Sequence, residues 1–91
     1  MLFDWFNAQA ATDFGKSLAD FLAERIPTKN PKKAPEALNK IFAQIEQFKL
    51  TNRLNMYKKA KLGNAFKWKL IDYGYEDDFI DEMTKEVLLH L

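Results

Sequence analysis

Residues 36–62 read EALNKIFAQIEQFKLTNRLNMYKKAKL. This stretch decides the fold, because its apolar positions recur at helical spacing. Leu38, Ile41, Phe42, Ile45 and Phe48 fall three or four apart and line one side of a helix. Pro35 suits a first helical turn, and Glu36 sits well beside the positive helix end. After Phe48 the phase changes. Leu50, Leu54 and Tyr57 fall on nearly the opposite side of the same ideal helix. Either the helix breaks near Thr51-Asn52, where Thr or Asn caps a new one, or one long helix buries both faces in turn. The preferred reading is continuity over about 36–62.

Upstream, Ala11, Phe14, Leu18, Phe21, Leu22 and Ile26 form a second apolar stripe. It predicts a helix over about 8–26, stopped by Pro27. Residues 27–35, PTKNPKKAP, read as an exposed and stiffened connector. Downstream, Leu62-Gly63-Asn64 reads as a stop followed by a new start, with glycine after one helix and asparagine capping the next. Phe66, Leu70 and Tyr73 predict a helix over about 64–73. Phe66-Lys67-Trp68-Lys69-Leu70 also alternates as a strand would, but no second stretch offers a partner, and a lone strand leaves its backbone unpaired. Gly74 ends that helix. Glu76, Asp77 and Asp78 open a last one over about 76–90, whose buried side is Phe79, Ile80, Met83, Val87 and Leu91.

These elements predict an all-α fold in one domain, 1–91: a compact bundle of three to four helices. Eight Phe in 91 residues predict an aromatic-rich core. The first two long helices are expected to run antiparallel across the connector, with the two shorter ones packed across them.

Composition excludes several classes of function. There is no Cys, so disulfide frameworks, thiolate metal sites and cysteine nucleophiles are absent together. The same absence points towards a reducing cytoplasm. No signal peptide is expected, since Asp4 interrupts the first apolar residues and no Lys or Arg precedes Lys16. No apolar run approaches a membrane span.

Sites of chemistry are equally scarce. Phe14-Gly15-Lys16-Ser17 contains the Gly-Lys-Ser that ends a phosphate-binding loop, but position 10 is Ala where that motif needs Gly. It reads as ordinary helix, with Gly15 allowing close packing. His90, the one histidine, has Glu86 four residues before it, which is too few ligands for zinc. Glu76, Asp77, Asp78, Asp81 and Glu82 are spaced as a helix start and not as a calcium loop. Thr12, Ser17, Thr28, Thr51 and Thr84 have no base and orienting partner to activate them. A non-enzymatic protein without metal or cofactor is expected.

Charge is the strongest remaining signal. From Arg25 to Ile71 there are twelve Lys or Arg against Glu36 and Glu46, a balance of +10. Residues 72–91 carry −6 and residues 1–24 carry −3, so the formal net of +1 conceals the sorting. Lys49, Arg53, Lys58, Lys59, Lys61, Lys67 and Lys69 follow one another without an acid, with Phe48, Tyr57, Phe66 and Trp68 interleaved. Cations beside aromatics are a recurring arrangement for nucleic acid, so this segment is a candidate anion-binding surface. Against it, the cations spread around the helix axis, the aromatics fall at core spacing, and six of the seven cations are Lys where base readers favour Arg. The second candidate is the N-terminus. Phe3, Trp5 and Phe6 place large aromatics where chain ends are usually polar. They are read as a partner or self-association surface. The function expected is a small non-catalytic helical module that binds another protein or a second copy of itself. A nucleic-acid or polyanion binder using residues 49–69 is the alternative.

Overall fold

A computed structural model describes the backbone of residues 2–28 and 34–91, and the side chains of residues 8–28 and 34–91. Four helices make up the described chain: α1 (Leu2–Arg25), α2 (Ala34–Thr51), α3 (Met56–Tyr73) and α4 (Asp77–His90). No strand occurs among the described residues. The core of the predicted connector, residues 29–33, lies outside the described part.

Three predicted boundaries are corrected, the first being the start of α1, which lies at Leu2 and not near residue 8. The helix expected over 36–62 is two helices, divided at residues 52–55. Local side chains take over the backbone there. Asn52 Nδ2 donates to the Phe48 carbonyl (3.1 Å), ending α2. Asn55 then caps α3 in extended conformation, its Oδ1 accepting from the Lys58 N–H (2.9 Å). The stop expected at Gly63 does not occur, since α3 runs through it unbroken. Gly63 is instead where α4 approaches: a Cβ there would meet Leu88 Cδ2 at 2.7 Å.

Gly74 does end α3, as its type suggests. It adopts φ 93°, in the left-handed region. Its N–H donates to Ile71 O (3.0 Å), and the Tyr75 N–H to Leu70 O (3.3 Å). That paired pattern is a Schellman motif, completed by burial of Tyr75 and Leu70 together. The Tyr75 hydroxyl donates to Ile26 O, which satisfies a carbonyl at the end of α1.

Residue pairs fix the arrangement. Gly15 lies against Leu62 and Ala65, and Asp20 against Lys69 and Tyr73, so α1 and α3 run parallel. Phe14 stacks on Phe48, while Arg25 lies by Ala37 and Lys40, so α1 and α2 run antiparallel as expected. Leu88 over Gly63 and Phe79 on Tyr75 set α4 antiparallel to α3. Around the bundle the order is α1, α3, α4, α2. At about 1.5 Å per residue, the 24 residues of α1 account for most of the 42 Å long axis.

The interior differs in kind from the aromatic-rich core expected. Buried side chains are Leu18, Leu22, Ile26, Ile41, Ile45, Leu62, Leu70, Ile80, Met83, Val87 and several Ala, with Phe66 and Tyr75 the aromatics among them. Phe14, Phe21, Phe42, Phe48 and Phe79 are half-buried around this set. The cause is the α1–α3 seam. α1 turns Ala8, Ala11, Gly15, Leu18 and Ala19 inward, and at Gly15 the approach of α3 leaves no room for even a Cβ. The rings lie on the flanks and join helices in pairs: Phe14 on Phe48 at 4.1 Å and Phe42 on His90 at 3.5 Å.

Candidate functional site

The seven cations of residues 49–69 do not share a surface. Lys49 lies at the end of α2, where its Nζ donates to the His90 carbonyl (3.1 Å) and pairs with Glu46 (3.4 Å). A cation beside the C-terminal carbonyls of α4 is favoured by the helix dipole. Lys58 is buried at 6% exposure, with Nζ donating to the Arg53 carbonyl (3.2 Å). It braces the 52–55 turn and is closed to an outside anion. Arg53 is exposed within that turn. Lys59 lies between α3 and α4, and Lys67 is half-buried further along α3. Lys61 and Lys69 face α1.

The acidic α4 forms no ion pair with this segment among the described residues. Neutralisation comes instead from α1, where Asp20 pairs with Lys69 (3.6 Å) and accepts from the Tyr73 hydroxyl. The Tyr73 pKa is raised, first by that hydrogen bond to Asp20 and then by desolvation and the nearby acids Asp20 and Glu24.

The aromatics of the segment divide likewise. Phe66 is buried and Phe48 half-buried. Tyr57 and Trp68, however, are 53% and 62% exposed. Trp68 stands two positions from both Phe66 and Leu70, about 200° around the helix, so burial of that pair turns it outward. The signal was present in the sequence, hidden by the strand-like alternation.

Two hollows flank α3. Between α1 and α3, a cleft of about 290 Å³ is lined by Thr12, Lys16, Lys61, Asn64, Ala65, Trp68, Lys69 and Asp72. Lys16 and Thr12 were not among the expected site residues. They belong to α1, and only the parallel α1–α3 register brings them beside Lys61. Between α3 and α4, a more apolar groove of about 480 Å³ is lined by Met56, Lys59, Ala60, Gly63, Asn64, Thr84 and Leu88. Thr84 Oγ1 is buried in its wall with no hydrogen-bond partner among the described residues.

One end of the bundle collects exposed apolar side chains. The start of α1, the end of α2, the start of α3 and the end of α4 meet there. Leu50 (78% exposed), Met56 (84%), Leu88 and Leu89 (68%) all belong to this end. The candidate surface Phe3, Trp5 and Phe6 is at the same end of α1, although these side chains lie outside the described part. In the parallel register Gly15 stands opposite Leu62, so residues 2–7 run on past the start of α3 at Met56.

The remaining motifs are helical. Ser17 Oγ donates to the Phe14 carbonyl (2.7 Å), and Gly15 packs on α3, so Gly-Lys-Ser forms no phosphate loop. His90 stacks on Phe42 and bonds through Nδ1 to the Glu86 carbonyl (3.0 Å). No group of three His, Asp or Glu converges among the described residues. No helix among them is long and apolar enough to cross a membrane. No protein-family model matches the sequence, and no curated protein or solved structure matches the chain.

Proposed function

We propose that the chain is a non-catalytic interaction module that self-associates through the bundle end where α1 begins. The observation that carries this reading is the gathering of Leu50, Met56, Leu88 and Leu89 at that end, all well exposed. Scattered surface apolar residues need no explanation, but four from three helix termini around one end form a patch. From the sequence alone, Phe3, Trp5 and Phe6 are proposed to take part in the same contact. Charge favours a second copy as the occupant. Asp13 comes from the acidic first block, while Arg53 and Lys59 stand near the same end. A two-fold contact sets each block against the other chain's opposite charge.

Sedimentation over a concentration series tests the reading. The native chain is expected to sediment as a dimer or larger species that dissociates on dilution. Full burial of one such apolar side chain is worth about 1.5–3 kcal/mol, so Leu50→Lys with Met56→Lys weakens association by at least about tenfold. A strict monomer at every concentration refutes self-association.

A further inference from the structure

The cleft between α1 and α3 has a different chemistry from the apolar end. We infer that it holds one nucleotide unit, with the base stacked on Trp68 and the phosphate between Lys16 and Lys61. Trp68 leaves 62% of its surface in water on the rim of the cleft. An exposed indole is a sequence-tolerant stacking platform for any base. Lys16 and Lys61 come from two helices held in register by the tight Gly15 seam, so their spacing is set by the core.

The charges give the site a direction. Lys69 is already paired with Asp20, and Asp72 stands on the same side of Trp68. A phosphate is disfavoured there and favoured at the Lys16–Lys61 end. Asn64 lies between that end and Trp68, with an amide that both donates and accepts towards a base edge. The volume of about 290 Å³ lies at the foot of the range for small-ligand sites, roughly 300–1,000 Å³, and suits a single unit.

Two sources offer this unit: a free nucleotide, or one position of a single strand. The pattern continues along α3. Tyr57 is exposed with Lys61 Nζ 5.6 Å from its ring, and Tyr57, Lys61, Asn64 and Trp68 recur on one face. Tyr57 and Trp68 are eleven residues apart, about 16 Å along the axis. A second platform at that distance favours the strand.

Trp5→Phe leaves Trp68 as the sole indole, so its emission reports the site. Short oligo(dT) is expected to quench it, and dTMP to quench it more weakly. Quenching by dTMP equal to that by the strand keeps the site and assigns it the free nucleotide. Affinity for the strand should fall with salt at a log–log slope of about −0.7, for the one phosphate held between Lys16 and Lys61. Measured by anisotropy of a labelled strand, Trp68→Ala weakens binding by about tenfold. Lys16→Glu and Lys61→Glu weaken it further, while Lys58→Met, at a buried position, leaves it unchanged. Absence of quenching at low salt by either ligand overturns the inference. So does undiminished strand binding by Trp68→Ala, which reduces the effect to charge alone. Leu50→Ser with Met56→Ser disrupts the same apolar end without adding charge and should not alter quenching, so failure here is separable from failure of self-association.

Discussion

Gly15→Ala is expected to destabilise the protein, although alanine is the better helix former by about 1 kcal/mol. The reason is what the new methyl meets. A Cβ at Gly15 would overlap the backbone oxygen of Leu62 and stand 3.1 Å from Ala65 Cβ. That oxygen belongs to the hydrogen-bond ladder of α3 and cannot turn aside, so α1 and α3 must part. Overpacking of this kind costs typically 1–3 kcal/mol, occasionally more. Parting the seam also loosens Ala11, Leu18 and Ala19, all 0% exposed. With the propensity gain set against these costs, a net loss of about 1–2 kcal/mol is expected, or about 4–16 °C in Tm. Gly63→Ala is the internal control. Its Cβ meets only the tip of Leu88, a side chain 45% exposed that can change rotamer. The propensity gain then survives, and Tm should hold or rise by up to about 8 °C. Thermal and urea unfolding followed by circular dichroism measure both variants. A Gly15→Ala melting point at or above the native value refutes the close-packed seam, as does an equal response from the two glycines.

Asn55→Ala removes the cap of α3 and should cost about 1 kcal/mol, lowering Tm by about 4–8 °C in the same melts. An unchanged melt would mean that the 52–55 break does not depend on its cap. Tyr75 makes stability depend on alkaline pH. Desolvation by burial raises its pKa above the ordinary 10.0, so the folded state favours the protonated hydroxyl. Its contribution is complete below the unfolded pKa and is lost as pH rises through the folded one. Urea unfolding between about pH 9 and pH 11 should show stability falling, with a shallower fall in Tyr75→Phe. Equal slopes would remove Tyr75 as the cause.

Much of the secondary structure was legible because it rests on local causes. The stripe Leu38, Ile41, Phe42, Ile45, Phe48 names a helix wherever its partner lies, and Gly74 names a helix end because φ 93° suits glycine. The break at 52–55 was visible as a phase change. Continuity is nevertheless the reading the sequence favours, and the asparagines overturn it by bonding to the backbone. Gly63 misled because a glycine that admits a neighbouring helix looks, in one dimension, like a glycine that ends its own.

The candidate site was legible only in part. A run of cations in sequence states nothing about which share a surface. Lys58 turned inward to brace a turn, Lys49 went to the end of α4, and Lys69 found Asp20 on α1. Trp68 belongs to a set of aromatics at core spacing, but its angle of about 200° from Phe66 and Leu70 turns it outward.

The sequence alone determined that the chain is helical, where most helices end, and that no cysteine chemistry is available. These follow from periodicity, capping and composition, which act within a few residues. The tertiary structure alone decided that α1 and α3 run parallel through a seam of small residues. It set the rings on the flanks, brought Lys16 beside Lys61, and drew the exposed leucines to one end. Each depends on which helix faces which, and that is settled by the packing of surfaces far apart in the chain.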